Sequence, residues 1–460
     1  MNTMDGMMRR LGRASFVRPV WAGGAWLVAS LLTSLAVAPS HAGDWPHWRG
    51  PFYNGSADEK GLPETFSQTE NVLWAADMPG ESAATPIVVG NRVFVSSTDK
   101  DGRGLYAISL DRDTGEPLWN KKVGETERRN PSNTMASPSP VADDERAYFL
   151  YGTGDLVALD RQGEAAWSRD LAKDFGPLAI LWTYSSSPLL YQGKLYVIMI
   201  RNTESGRWGE VKEGQSLDSF LLCIDPKTGK DLWKHTRPTD ATGECLEAYT
   251  TPIPHEFQGR SEILVIGGDH LTGHDPKTGT EIWRQAYNPD KQGMWRLVPS
   301  PVAGGGFVFG VQPRANALFA VKAGRSGEIP YSEAAWTFPG PSPDTSTPLF
   351  YKDRLYVLGG DGKDKVITCL DPKTGRQIWQ GKLEGRAPYR ASPTGADDRI
   401  YLINMSGEAV ALAAGDEFKV LSRASMGGDS DAATITAADG KLFIRTTEKL
   451  FCVGKKRGPQ

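Results

Sequence analysis

The stretch Asp225-Pro-Lys-Thr-Gly229-Lys-Asp-Leu-Trp233 decides the fold of this chain, because it recurs along the sequence. Its copies are Asp111-Arg-Asp-Thr-Gly115-Glu-Pro-Leu-Trp119, Asp275-Pro-Lys-Thr-Gly279-Thr-Glu-Ile-Trp283 and Asp371-Pro-Lys-Thr-Gly375-Arg-Gln-Ile-Trp379, with a shorter copy at Asp160-Arg-Gln-Gly163-Glu-Ala-Ala-Trp167. An aspartate side chain bonds to backbone two residues on and glycine supplies positive φ, so the first half of each copy is a tight turn. A repeat of roughly 40 to 50 residues indicates a propeller or a solenoid.

Each repeat also begins in the same way, with a small residue and a proline before an apolar run. Proline is tolerated at the first residue of a strand, where a missing N–H costs least. These starts lie at Pro86, Pro138, Pro188, Pro252, Pro301, Pro348 and Pro393. The fourth strand of each repeat carries a tryptophan, whose large flat side chain suits packing between neighbouring blades. The predicted docking tryptophans are Trp74, Trp119, Trp167, Trp233, Trp283, Trp336 and Trp379.

The number of repeats predicts how the fold closes. An eighth, degraded start lies near Ala432-Ala433-Thr434, and its unit has three strands before the chain ends. A fourth strand is left over at the other end, at Val72–Trp74. We therefore predict an all-β fold, an eight-bladed β-propeller of four-stranded antiparallel blades over residues 72–454. The N-terminal strand completes the last blade, and such closure leaves no long open strand edge.

The two ends of the chain lie outside this ring. Residues 1–42 combine a basic start, an apolar run from Trp21 to Val37 and small residues at Ser40-His41-Ala42, which is typical of a cleaved signal peptide. Residues 43–71 are expected to form an N-terminal extension and residues 455–460 a basic tail. We therefore expect an exported protein, periplasmic or extracellular, with no integral membrane span after signal removal.

Charge and cysteine content restrict the partners further. Loss of residues 1–42 removes four arginines and one aspartate, which changes the formal net charge from −3 to −6. A mildly acidic chain gives no electrostatic reason to expect a nucleic-acid partner, and we expect a monomer. Cys223, Cys369 and Cys452 share one small-residue strand position in different repeats, so we expect free thiols there; Cys245 is left over in a loop.

The loops predict which face of the ring binds a partner. Connections from strand four to the next strand one share a face with the loops between strands two and three, and nearly all long insertions lie there. Long loops gathered on one face of a rigid scaffold are where binding usually occurs. Residues just before strand one should point toward the axis, where they either bind a partner or pair with one another to fill the channel. These candidates are Arg128, Arg129, Trp182, Tyr184, Glu247, Tyr249, Trp295, Arg296, Tyr389, Arg390, Asp429 and Asp431.

Patterns for catalysis or metal binding are weak. His270 and His274 are four residues apart, but they fall on a predicted strand and turn, so we expect no metal site. Gly304-Gly305-Gly306 lies in a hairpin turn, with no helix after it to hold phosphate. No nucleophile, histidine and acid stand in a catalytic pattern, and we predict no catalytic residue.

The Asp-Pro-Lys-Thr-Gly units resemble the tryptophan-docking repeats of the pyrroloquinoline-quinone-type β-propellers, which include quinoprotein alcohol dehydrogenases and BamB-like proteins. The opening Asp44-Trp-Pro-His-Trp48-Arg-Gly-Pro51 is similar to the start of many exported BamB-like proteins. The resemblance implies the fold over nearly all of the mature chain. It also implies two functions. A BamB-like protein would carry an anchoring cysteine just after its signal, and a quinoprotein dehydrogenase would carry adjacent cysteines and calcium ligands. Neither kind of cysteine occurs here.

Two hypotheses follow. The first is a non-catalytic scaffold that binds a protein or a polymer of the cell envelope through its long-loop face, with no cofactor. The alternative is an oxidoreductase that depends on pyrroloquinoline quinone and calcium. In that case Trp182, Trp295, Arg296 and Arg390 would flank the flat quinone.

Overall fold

The predicted fold is confirmed by the computed structural model, which describes residues 43–127, 130, 133–203, 211–312 and 317–455. The strands of these residues form eight sheets, numbered here as blades 1 to 8 in chain order, whose neighbouring strands are antiparallel except for one parallel strand in blade 4. The predicted signal peptide and residues 456–460 of the tail lie outside the described residues. Within the described part of the chain, no helix is long and apolar enough to cross a membrane.

The first four blades are each built from consecutive strands. Blade 1 contains Ile87–Val89, Arg92–Thr98, Gly104–Asp111 and Pro117–Glu125. Blade 2 contains Val141–Ala142, Arg146–Leu150, Asp155–Asp160 and Ala165–Asp170. Blade 3 contains Leu189–Tyr191, Lys194–Met199, Phe220–Ile224 and Asp231–Thr236. Blade 4 contains Ile253–Phe257, Arg260–Gly267, His270–His274 and Glu281–Ala286, and it gains a fifth, parallel strand from Gly327–Ile329.

The last four blades end in the closure of the ring. Blade 5 contains Val302–Gly304, Phe307–Gln312, Ala317–Lys322 and Trp336–Phe338. Blade 6 contains Leu349–Tyr351, Arg354–Gly359, Val366–Leu370 and Gln377–Lys382. Blade 7 contains Thr394–Ala396, Arg399–Ile403, Glu408–Ala413 and Val420–Ser425. Blade 8 contains Thr436–Ala438, Lys441–Arg445 and Lys449–Gly454, with Val72–Asp77 as its outer strand. The helices are short: an α-helix at Leu171–Phe175 and 3₁₀ turns at Gly243–Leu246 and Tyr331–Glu333.

Ring closure depends on one antiparallel pair that joins the two ends of the propeller. Trp74 lies opposite Cys452, and Ala75 lies opposite Phe451. The pairing fills the place of a fourth strand in blade 8, so the chain itself connects the first blade to the last. The prediction made from the leftover strand at Val72–Trp74 is correct.

The tryptophans pack against the turn of the next blade. The Trp74 indole donates a hydrogen bond from Nε1 to the carbonyl oxygen of Arg112 at 2.9 Å. A Cβ atom added to Gly115 of that turn would lie 2.6 Å from the Trp74 ring. The same contact recurs where Trp167 meets Gly229, with an indole hydrogen bond to Pro226 O at 2.8 Å. Glycine in these turns therefore provides both a positive φ and the space that the indole occupies.

Two docking tryptophans depart from this pattern. Trp283 donates its indole N–H to Glu262 within its own blade, at 3.0 Å. The next blade has no Asp-x-x-Thr-Gly turn to receive it. Trp233 packs on Gly279 of the next blade, but its indole nitrogen is buried without a hydrogen-bond partner among the described residues.

A ring of hydrogen bonds joins the innermost strands around the axis. In most blades the Ser or Thr before the first proline accepts, through its hydroxyl oxygen, the backbone N–H of its counterpart one blade earlier. The donor–acceptor steps run Thr85 to Ser139, Ser139 to Ser187, Ser187 to Thr251, Thr251 to Ser300, Ser300 to Thr347, Thr347 to Ser392 and Thr434 to Thr85, at 2.8–3.3 Å. In blade 2 the ring residue is Ser139, so this blade begins at Pro140 and not at the predicted Pro138.

The N-terminal extension crosses one end of the channel that this ring surrounds. Trp45 exchanges backbone hydrogen bonds with Val88 of blade 1, at 2.8 and 3.0 Å. Pro46 accepts the Ala142 N–H of blade 2 at 3.4 Å, and Asn54 accepts the Phe350 N–H of blade 6, four blades farther round the ring, at 3.3 Å. Gly395 of blade 7 exchanges hydrogen bonds with Gly55 and Ala57. These contacts lie at the short-turn ends of the innermost strands. Residues 45–57 therefore span the channel on the face opposite the long loops.

Arg49 fixes this crossing segment at its centre. The side chain is 2% exposed, and its guanidinium donates to the carbonyl oxygens of Pro393, Asn54 and Pro348 at 2.9–3.2 Å. Two of these acceptors lie at the starts of inner strands in blades 6 and 7. Burial lowers the pKa of Arg49 to about 9. The backbone carbonyls thus supply the polar contacts that a buried cation requires.

We predict that Gly229→Ala destabilises the propeller more than Gly193→Ala. Both glycines have similar backbone angles, with φ of 70° and 67°, so each substitution should cost about 1 kcal/mol for the left-handed conformation. At Gly229 the new methyl would also lie 2.7 Å from Trp167, whereas at Gly193 nothing lies within 4 Å. The overlap should add about 1–3 kcal/mol. Chemical unfolding of both variants measures this difference, and equal losses would contradict the docking role of the indole.

Candidate functional site

A cavity on the axis opens on the long-loop face. It has a volume of about 590 Å³, within the range typical of small-ligand sites. All eight connections from strand four to the next strand one contribute to its wall. Its described lining residues are Trp48, Glu81, Ala83, Asn130, Asn133, Thr134, Ser137, Ser139, Trp182, Ser185, Ser187, Tyr249, Thr251, Arg296, Val298, Asp344, Thr345, Arg390, Ser392, Met405, Asp431, Ala432 and Thr434.

Trp48 reaches this cavity from the opposite side to the loops. It belongs to the N-terminal segment that spans the short-turn end of the channel, and its side chain is half-buried. The neighbouring Arg49 guanidinium lies 5.6 Å from the centre of its ring, which is cation–π contact distance. The cavity is thus a cup whose wall comes from the blades and whose floor includes an indole of the extension.

The hydroxyl ring supplies part of the polar wall. Ser139, Ser187, Thr251 and Ser392 line the cavity and accept a backbone N–H from the preceding blade. Within the described part of the chain, none of these four hydroxyls donates a hydrogen bond to a protein acceptor. Each therefore has one donor left for a molecule in the cavity.

Two ion pairs hold the guanidinium groups of the wall. Arg296 Nη2 lies 2.9 Å from Asp344 Oδ2, and Arg390 Nε lies 2.9 Å from Asp361 Oδ1. Arg296 Nη1 and Asp344 Oδ1 are buried, with no hydrogen-bond partner among the described residues. An orphaned donor and an orphaned acceptor next to each other are costly without a ligand or water. This pair is therefore ready to bind a group that both donates and accepts.

A third carboxylate, Asp431, completes the charged wall. It accepts hydrogen bonds from the Ser82 backbone N–H at 3.1 Å and from the Thr447 hydroxyl at 3.3 Å. Burial, with a contribution from nearby Glu81, raises the pKa of Asp431 above its usual value, although Arg445 opposes this shift. Arg445 itself is 1% exposed, and burial lowers its pKa to about 10.

A chain of hydrogen bonds positions the aromatic part of the mouth. Glu247 Oε2 accepts from the Leu181 N–H at 2.8 Å and from the Tyr249 hydroxyl at 3.1 Å. The Tyr249 oxygen in turn accepts the Trp182 backbone N–H at 3.2 Å. The Trp182 carbonyl accepts from Asn133 Nδ2 at 2.9 Å. The Trp182 side chain is 37% exposed, so an indole face remains available at the mouth.

The predicted face residues divide into two groups. Trp182, Tyr249, Arg296, Arg390 and Asp431 line the cavity together. The others lie behind its wall or beside it, because a residue just before strand one meets either the axis or the neighbouring blade. Tyr184 donates its hydroxyl proton to Ile198 O, and Tyr389 is fully buried. Glu247 accepts the hydroxyl proton of Tyr249, and Trp295 packs against the cluster around Cys245. Asp429 accepts a hydrogen bond from the Thr447 hydroxyl through its backbone carbonyl. Arg128 and Arg129 lie outside the described residues.

Sequence reasoning missed several residues of the site. The sequence pattern predicts the Ser and Thr residues before the prolines only as strand starts, although their repetition at the same position also indicates a shared place at the channel. Trp48 was noticed only as part of a family-like opening. Asn133 and Asp344 had no signal, since nothing in a single sequence says which loop residue reaches the axis.

One cluster elsewhere has the composition of a metal site. The ligand atoms of His235, His274 and Glu281 lie within 4.8 Å of one another, between blades 3 and 4. His274 already uses both ring nitrogens, with Gly279 O at 3.0 Å and the Thr272 hydroxyl at 2.8 Å. The Glu281 carboxylate binds the Arg284 guanidinium at 2.5 and 2.9 Å. The cluster is therefore accounted for as a buried contact between blades.

All four cysteines are free and buried. Burial raises the pKa values of Cys223, Cys369 and Cys452 to about 12 and that of Cys245 to about 11. Thiols held in this protonated form are poor nucleophiles.

A closed ring of eight sheets defines an eight-bladed β-propeller, and its axial cavity, which is open at one end, is the candidate binding cup. The chain belongs to the family described as outer membrane protein assembly factor BamB, whose model matches residues 66–222 and 217–458.

Individual relatives are distant. Tetrathionate hydrolase of Acidithiobacillus ferrooxidans is 21% identical over 384 residues, or 74% of this chain, and the chain spans 66% of that relative, just under two thirds. BamB from Moraxella catarrhalis has a similar fold, with a TM-score of 0.55 at 15% identity, over 84% of this chain and 99% of the other. Quinohemoprotein alcohol dehydrogenase from Comamonas testosteroni gives a TM-score of 0.62 at 13% identity, over 92% of this chain and 82% of the other. At these identities the structural likeness establishes the fold alone.

The cavity fits pyrroloquinoline quinone with calcium, which the fold family implies, only in part. Trp48 and Trp182 offer flat faces for a ring system. The described lining, however, contains three carboxylates and two guanidinium groups, which is unfavourable for a quinone that itself carries three carboxylates. Calcium takes six to eight oxygen ligands. None of the described lining residues forms a group of three His, Cys, Asp or Glu ligands. Calcium in this cavity would therefore need amide or backbone oxygens in addition to the carboxylates of the described lining.

We predict that His274→Leu flattens the dependence of stability on pH. Burial, with a contribution from Arg237, lowers the pKa of His274 to about 3 from 6.5. The unfolded chain therefore takes up a proton first, and stability present above pH 6.5 is lost as the pH falls toward 3. The slope is at most about 1.4 kcal/mol per pH unit. Leucine, found at the matching positions 159 and 370, cannot titrate. Unfolding curves between pH 7 and pH 4 measure this, and identical slopes would contradict a buried neutral imidazole.

Proposed function

We propose that this chain is an exported, non-catalytic binding protein whose long-loop face engages a protein or a polymer of the cell envelope. The observation that carries the proposal is the composition of the axial cup. It is lined by two indoles, a phenol and two guanidinium groups, which are residue types enriched at binding sites, together with three carboxylates. Its described lining contains no histidine, cysteine or lysine, so a catalytic role there would fall to its carboxylates and hydroxyls.

The arrangement of these groups also favours a binding role over a catalytic role. Both guanidinium groups are held by carboxylates, and the Trp182 backbone is held by Tyr249 and Asn133. A wall fixed before the ligand arrives loses little conformational freedom on binding, which increases affinity. Export is inferred from residues 1–42, whose basic start, apolar run and small residues match a signal peptide.

The second candidate is a quinone-dependent oxidoreductase. It is favoured by the fold shared with quinohemoprotein alcohol dehydrogenase and by the aromatic and arginine side chains of the cup. A stoichiometric absorbance shift and dye reduction after addition of pyrroloquinoline quinone and calcium would support this candidate over a scaffold.

We predict that Trp182→Ala and Arg390→Ala each reduce capture of an envelope partner about tenfold or more, because loss of a central anchor typically costs at least 1–2 kcal/mol. Immobilised protein would be incubated with a detergent extract of the envelope and the bound material quantified. Leu232→Ala is the matched control, since Leu232 is 49% exposed on the outer strand of blade 3.

Both test residues are exposed, so the fold should survive, and unfolding midpoints check this. Equal capture by the wild type, the control and both cup variants would refute the assignment of the binding face. Capture lost in Leu232→Ala but not in the cup variants would place the partner on the rim of the blades instead.

A further inference from the structure

We infer that the axial cup is a saccharide site that receives the end of a neutral glycan chain. This inference rests on the proposed binding function and names the ligand class. It follows from four properties of the cup: charge balance, hydrogen-bonding capacity, exposed indole faces and a closed inner end.

The charges of the described lining do not attract a charged ligand. Arg296 is neutralised by Asp344, and Arg390 by Asp361 just outside the lining. Asp431 is partly offset by the buried Arg445 behind the wall, which leaves Glu81 as the lining carboxylate with no ion pair among the described residues. An anionic ligand would meet these carboxylates, and a cationic one would find a single unpaired carboxylate instead of an acidic cluster. A neutral polar ligand therefore has the smallest electrostatic penalty on entering the cup.

The wall offers hydrogen-bond donors and acceptors side by side. Ser139, Ser187, Thr251 and Ser392 each have a hydroxyl proton without a protein acceptor among the described residues. Arg296 Nη1 and Asp344 Oδ1 form an orphaned donor–acceptor pair in the same wall. A sugar hydroxyl both donates and accepts, so it can satisfy such a pair with one group. A polyol satisfies a ring of such groups better than a peptide backbone, whose donors and acceptors alternate along an extended strand.

The cup has flat apolar faces at both ends of an otherwise polar wall. The Trp182 indole at the mouth is 37% exposed, and the Trp48 indole is half-buried at the floor. The C–H face of a pyranose ring is apolar while its edge carries hydroxyls, so a ring that covers an indole leaves its hydroxyls directed at the wall. The other apolar lining residues are Ala83, Val298, Met405 and Ala432, which form no deep pocket for a large peptide or lipid side chain.

The closed inner end decides how a chain can enter. The N-terminal segment spans the channel through its bonds to blades 2 and 6, which face each other across the ring, and through Arg49. A polymer cannot pass through the ring while this segment is in place. Only a chain end, or a short oligosaccharide, can therefore occupy the cup, and further sugar units would lie across the long-loop face.

The test uses the mature protein with cellohexaose, maltohexaose, mannohexaose and chitohexaose, followed by tryptophan fluorescence and titration calorimetry. We expect at least one of them to bind with a dissociation constant between micromolar and millimolar and to change the fluorescence. Trp182→Ala and Asp344→Asn should weaken binding about tenfold or more. Leu232→Ala should bind like the wild type. Trimers of the same sugar should bind within about threefold of the hexamer, because only the chain end enters the cup.

Absence of binding by all four sugars at about 10 mM would overturn the inference. A dissociation constant above this concentration corresponds to a binding free energy of less than about 3 kcal/mol. Binding that Trp182→Ala does not weaken would overturn it as well. If envelope capture still depends on Trp182 while no sugar binds, the proposed binding function survives and the ligand is a protein. If capture and sugar binding both fail to respond to Trp182→Ala, the two proposals fail together.

Discussion

The rest of this structure depends on the hydrogen bond that one inner strand gives to the next around the axis. At the start of seven of the eight inner strands the backbone N–H points toward a neighbouring blade, where no strand of its own sheet can accept it. A buried N–H without a partner is costly. The Ser or Thr hydroxyl of the adjacent blade accepts it, as Ser187 does for Ser139 at 2.9 Å. The proline that follows has no N–H to satisfy. The dipeptide therefore both satisfies the strand starts and links the blades.

This constraint also determines the character of the cavity. A ring held together by short hydroxyl contacts keeps small polar residues at the axis, so the channel stays open and wettable. The outer tryptophans set the spacing between blades, because five of the seven docking indoles rest on a turn glycine of the next blade. The two layers together give a rigid wall onto which eight loops bring larger side chains. Arg296 and Asp344, from two consecutive loops, meet in this way at 2.9 Å.

Most of the architecture could be read from the sequence, because the features that build it repeat. The turn glycines, the tryptophans and the Ser-Pro or Thr-Pro starts recur at a spacing that is typical of a propeller or a solenoid, and the leftover N-terminal strand favours the closed ring. Even the closing strand was identifiable, since Val72–Trp74 had no unit of its own. The error at Pro138 arose because Ser137-Pro138-Ser139-Pro140 offers two equivalent starts, and only the contact with Ser187 selects the second.

The site was less accessible to sequence reasoning, because its residues do not repeat. Trp182 and Arg390 could be placed near the axis from their position before a strand. Tyr184 and Tyr389 had the same kind of position, yet packing between blades buried them. Trp48 could not be placed, since it reaches the cup through a segment whose path is set by Arg49 and by strand ends far away in the sequence. Fold is determined by local repetition here, whereas the cup depends on contacts between distant residues.

Hydrogen exchange at the ring amides tests the central claim most directly. If the hydroxyl contacts and the pairing of Val72–Asp77 with Lys449–Gly454 close the ring, peptides containing Thr85, Ser139, Ser187, Thr251 and Thr434 should exchange slowly and at similar rates. They would then open only when the whole propeller unfolds. Fast exchange at Thr85 and Thr434, with protection rising toward Thr251, would show that the ring opens at its seam and would contradict the account.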